Sequence, residues 1–92
     1  MEHLREADIL TRVHRYNLIR DRRMVYIDVH EALHGTLAAA YVAVPNLVNI
    51  VARQEFQGVG NTQTQALENC LEKIEGLSVE ELFPSRSEER RP

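Results

Sequence analysis

The junction Gly58-Val59-Gly60-Asn61-Thr62-Gln63-Thr64-Gln65 constrains this chain more than any other stretch, because a strand-like run ends there and an amphipathic helix begins. Thr62 is a good N-cap. Gln65, three residues on, is placed to return a hydrogen bond to the cap's backbone, so Thr62-x-x-Gln65 reads as a capping box. Behind it Ala66, Leu67, Cys70, Leu71 and Ile74 gather on one apolar stripe, while Glu68, Asn69, Glu72, Lys73 and Glu75 face water. Gly76 supplies a C-terminal stop.

Upstream, Leu4, Ala7, Leu10 and Val13 recur every third residue within 3–17, which predicts a first helix ending near Asn17. Met24 to Val29 alternates, with Val25, Ile27 and Val29 on one side and Met24, Tyr26 and Asp28 on the other, as a half-buried strand does. His34-Gly35 marks a turn. Thr36 to Val44 is apolar in both registers and reads as a second strand, broken at Pro45-Asn46. Leu47 to Phe56 leads into the glycine pair as a third. Ser78-x-x-Glu81 is a second capping box, and with Leu77, Val79, Leu82 and Phe83 it predicts a last helical turn running up to Pro84. The expected architecture is α+β in the order α-β-β-β-α: a three-stranded antiparallel sheet packed on two helices, plus a short C-terminal helical turn. Residues 1–84 form this single domain, and 85–92, charged and without an apolar residue, form a disordered tail.

Ninety-two residues suffice for one small core, burying roughly 60–65% of the unfolded surface. The single cysteine, Cys70, excludes an internal disulfide and lies on the apolar stripe, so it reads as a buried, inert thiol. No apolar run approaches about 18 residues, and Met1 to Glu6 lacks the basic and apolar regions of a signal peptide, so the expectation is an unexported, cytoplasmic protein. The net charge of −3 is uneven: residues 1–23 hold six arginines against four acids, and 24–92 hold five basic residues against ten acids.

An α-β-β-β-α order ending in Gly-x-Gly-x-Thr before a capped helix resembles the double-stranded-RNA-binding domain, whose third strand and second helix are joined by Gly-x-Gly-x-Ser-Lys-Lys-x-Ala-Lys. Gly58, Gly60, Thr62 and Ala66 match; the lysine positions are Gln63, Thr64 and Leu67. The resemblance spans about residues 4–76 and implies binding of duplex RNA through phosphate contacts, for which Arg5, Arg12, Arg15, Arg20, Arg22, Arg23 and the helix start at Thr62 are the candidates. With the lysines missing and Glu68, Glu72 and Glu75 farther along, the second helix repels phosphate, so nucleic acid is a disfavoured partner.

His30-Glu31-Ala32-Leu33-His34 spells the His-Glu-x-x-His signature of zinc hydrolases, with Glu55 or His14 as conceivable third ligands. The preceding alternation argues for a strand, where residues four apart stand about 13 Å from each other and share no metal ion. Two surface or turn histidines are the simpler reading, with no metal and no cofactor. Gly58-x-Gly60 falls short of a dinucleotide loop, since Gln63 stands where the third glycine belongs. No nucleophile pairs with a base, and no enzyme is expected.

The stretch Thr36 to Val44 carries more functional content. A sheet with helices on one face leaves its other face in water, so one of its two apolar sets is exposed and calls for a partner. Leu37, Ala39, Tyr41, Val42 and Val44 are the candidate interface residues. The sequence thus points to a non-catalytic protein-protein interaction domain, self-associating as a homodimer or binding another protein, with no membrane contact.

Overall fold

The computed structural model describes residues 3–47 and 50–83, so the predicted tail at 85–92 lies outside the described residues. These residues form a small α+β domain with one five-stranded antiparallel sheet. The strands are β1 (Leu10–Arg20), β2 (Arg23–His34), β3 (Tyr41–Leu47), β4 (Ile50–Val51) and β5 (Gly58–Gly60), followed by α1 (Gln63–Lys73) and the single turn α2 (Val79–Leu82). The order across the sheet is β1-β2-β3, with β4 and β5 sharing the far side of β3.

The expected α-β-β-β-α order, with a three-stranded sheet packed on two helices, is overturned: the sheet has five strands, and one helix with a single further turn packs on it. Where the sequence predicts a helix over 3–17, the chain runs as the strand β1. The apolar residues that suggested a helix recur every 3.0 residues and drift round a 3.6-residue helix instead of staying on one face. From Thr11 to Arg20 the side chains alternate between the two faces of the strand. Val13, Arg15, Asn17 and Ile19 take one face; His14, Tyr16, Leu18 and Arg20 take the other. Arg20 pairs with Arg23, so the hairpin closes over Asp21 and Arg22 alone. Both hold positive φ, 52° and 62°, as a two-residue turn of the primed type demands.

Two further boundaries move. The second strand begins at Tyr41, not Thr36, and runs through Pro45 to Leu47. Pro45 is tolerated because it sits where the outer side of β3 passes from β5 to β4, and its carbonyl accepts from Ala52 N–H at 3.0 Å while no N–H is asked of it. The predicted third strand, 47–56, is instead β4 and a 3-10 turn over Gln54–Phe56, with β5 after it.

One face of the sheet is covered. Val25, Ile27 and Val29 from β2 and Ala43 from β3 are buried against Ala66, Cys70 and Ile74 of α1 and against Val79, Leu82 and Phe83. Each large side chain so buried contributes about 1.5–3 kcal/mol. The glycine pair makes this packing possible: a Cβ on Gly58 would collide with the backbone at Cys70 N and Ala66 O, and one on Gly60 would lie 2.7 Å from Ala66 N. Helix and strand are therefore in direct backbone contact.

Both caps form. Thr62 Oγ1 accepts from Gln65 N–H at 3.1 Å, while Gln65 Oε1 accepts from the N–H of Asn61, one residue before the cap. Ser78 and Glu81 make the full reciprocal box. Arg20 donates to the carbonyls of Ile74 and Leu77 at 2.8 and 2.9 Å, satisfying the end of α1 with a cation where the helix dipole favours one.

Candidate interaction surface

The face of the sheet turned away from α1 carries the residues whose environment is least explained by the fold. Cross-strand register aligns Val13, His30, Val42 and Val59 in one row, Arg15, Asp28 and Val44 in the next, and Asn17, Tyr26, Asn46 and Val51 in a third; Ile19 and Met24 close the row beside the hairpin. Five of these side chains are apolar and in water: Val13 is 46% exposed, Ile19 69%, Met24 43%, Val51 61% and Val59 40%. They ring a polar centre. Arg15 donates Nε and Nη2 to the two oxygens of Asp28 at 2.7 and 3.0 Å, Asn46 Nδ2 donates to the same carboxylate at 2.7 Å, and the guanidinium lies 4.2 Å from the ring centre of Tyr26. Asp28 is buried, yet the Arg15 hydrogen bonds hold its carboxyl below the usual carboxylate range against a burial that acts the other way. Fork-to-fork geometry of this kind is specific and rigid.

The interface candidates read from the sequence divide among three places. Val42 and Val44 lie on this open face and are already buried among their neighbours. Tyr41 points to the other face and packs against the core. Leu37 and Ala39 lie in the segment before β3 and belong to no strand. Sequence reasoning missed Val13, Ile19 and the Arg15 centre, since all three stand on the strand it read as a helix. No apolar alternation marks them in the sequence, because Val13 and Ile19 share one face with Arg15 and Asn17 while Tyr16 and Leu18 take the other.

The arginine candidates for nucleic acid are likewise separated. Arg15 is bound to Asp28, Arg20 to the end of α1 and Arg23 to Glu80, which leaves Arg5, Arg12 and Arg22 without an ion pair among the described residues. Thr62 is spent on its cap. The His30, Glu31 and His34 side chains do not converge. All three stand on β2; His30 bonds to Thr11 on the open face, Glu31 pairs with His14 at 3.0 Å on the helix face, and His34 meets the Arg5 carbonyl. No group of three potential metal ligands comes together among the described residues.

Cys70 is fully buried, its Sγ donating to the Phe56 carbonyl at 3.3 Å, and burial pushes the thiol up to about 11. It has no thiolate at neutral pH to act as a nucleophile. The hollows beside the end of α1, lined by Arg20, Leu71 and the carboxylates of Glu68, Glu72 and Glu75, are shallow and open. No helix among the described residues is long and apolar enough to cross a membrane.

Among the described residues, fold and surface together define a small α+β domain, a five-stranded antiparallel sheet clad by α1 and α2 on one face. Comparison with protein-family models, with curated proteins and with solved structures gives no match, so what this surface does rests on its geometry.

Proposed function

We propose that this domain is a non-catalytic interaction module that associates with a second copy of itself along the β1 side of its open sheet face. The observation that carries the proposal is β1: an eleven-residue strand that pairs with β2 alone among the described residues, with Val13 and Ile19 standing exposed on it. A long edge strand offers unpaired N–H and C=O groups to any chain that fits, and natural sheets blunt such edges with prolines, bulges or free charges. β1 has no proline, its one irregularity lies at its start between Leu10 and Thr11, and two of its three arginines are engaged inside the domain. An antiparallel strand is also its own complement, so pairing with an identical strand closes a dimer at one contact instead of growing a fibre.

Sedimentation of the purified protein from about 1 to 100 µM, a range that spans ordinary transient affinities, tests this. The expected result is a reversible monomer-dimer equilibrium that Ile19→Lys weakens at least tenfold, the variant keeping the wild-type circular dichroism. A wild-type protein that stays monomeric throughout contradicts the proposal. If that monomer retards a short RNA duplex in a gel, the surface around Arg5, Arg12 and Arg22 takes precedence.

A further inference from the structure

The proposed self-association leaves open how the two strands meet, and the side chains of β1 decide between the possible registers. A two-fold axis that sets two edge strands antiparallel in one continuous sheet stands perpendicular to it, so each face stays on its own side and odd residues meet odd residues. The axis therefore passes through a residue of β1, and four positions near its middle are available. At His14 the axis sets Val13 against Arg15 and leaves Ile19 beyond the strand. At Arg15 it stacks two guanidinium groups on each other, and like charges directly opposite are unfavourable. At Asn17 it sets Ile19 against Arg15 and Val13 against Asp21, the turn residue. At Tyr16 it sets Val13 opposite Ile19 on the open face, twice by symmetry, and Arg15 opposite Asn17, while the two Tyr16 rings face each other on the helix side. Apolar-apolar and aromatic-aromatic cross-strand pairs are the favourable ones. The one like-charge pair in this register, Arg12 with Arg20, is relieved because the Arg20 guanidinium is drawn off to the Ile74 and Leu77 carbonyls.

We infer that two copies join β1 to β1 antiparallel with Tyr16 on the two-fold axis, so that Val13 of each lies opposite Ile19 of the other. The product is one continuous ten-stranded sheet. Its helices lie together on one side. On the other, the two Arg15–Asn17 pairs and their Arg15–Asp28 centres occupy the middle of the seam, with one Val13–Ile19 pair at each end. This inference rests on the self-association proposed above and names its geometry.

Variants with one introduced cysteine test the register, since the native Cys70 is fully buried and takes no part. Directly opposite residues have Cβ atoms about 4.5–5.5 Å apart, within reach of a short bis-thiol cross-linker. Two copies of residue 13, or two of residue 19, stand about 20 Å apart in this register, six residues along a strand. Mixed Val13→Cys and Ile19→Cys proteins are expected to cross-link at least tenfold faster than either variant alone, under conditions where sedimentation shows a dimer. A dimer in which the mixture has no such advantage overturns the register and leaves the self-association standing. Variants and wild type that are all monomeric overturn both.

Discussion

Asp28 is a carboxylate placed near the middle of a sheet and kept charged there. Burial alone would raise its pKa, and the Arg15 fork with Asn46 more than reverses that, so its folded value lies below its unfolded one. The stabilisation is then complete above the ordinary carboxylate value near 4 and is lost as pH falls through the depressed folded value. Asp28→Asn is expected to lower stability by about 2 kcal/mol at pH 7, the loss of charge-assisted hydrogen bonds, and urea midpoints at pH 7 and below pH 3 should show that gap narrowing in acid. A gap independent of pH would mean that Asp28 is not charged in the folded protein. Arg22 is strained in the opposite sense. It holds φ at 62° in the second position of a two-residue turn where glycine or asparagine is at ease. Arg22→Gly should raise stability by about 0.5–1 kcal/mol, read as a higher urea midpoint, because a left-handed non-glycine residue costs about 1–2 kcal/mol and part of the relief is offset by glycine's freedom when unfolded.

Between elements, the contact that sets the fold is the one between β5 and α1. Gly58→Ala drives a methyl group into the backbone at Cys70 and Ala66, and neither is a flexible side chain that yields. We expect a loss of about 3 kcal/mol or more, seen as a folded fraction reduced or absent at 25 °C, since overpacking against rigid backbone has no cheap relaxation. This half of the molecule was legible in the sequence. Thr62, the apolar stripe, Gly76 with its positive φ of 76°, and the Ser78 box are local devices whose meaning depends on residues within one turn. β1 was not legible for the converse reason. Its apolar residues divide between two faces, Tyr16 and Leu18 toward the core and Val13 and Ile19 toward water, so no single face stands out as hydrophobic and only pairing with β2 settles the matter. The same division hid the candidate surface, whose residues come from five strands and meet only through register.

At the scale of the whole molecule the two faces differ. The acids of α1 line the clad side, and Val13, Ile19, Met24, Val51 and Val59 stand exposed with Arg15 on the open one, although Ile50 is exposed on the clad side. A dimer joined along β1 keeps that sidedness and converts the longest free edge into the middle of a sheet, where no further strand adds. Amide hydrogen exchange along β1 tests this most directly. In an edge strand alternate N–H groups point outward to solvent, while those between them are held by β2. If the two copies pair along β1, the outward amides from Arg12 to Arg20 should slow at least tenfold as protein concentration is raised through the dimer transition, until they are protected like their neighbours. Outward amides that exchange freely at every concentration, beside inward ones that stay protected, would show β1 to be an open edge and would contradict the account.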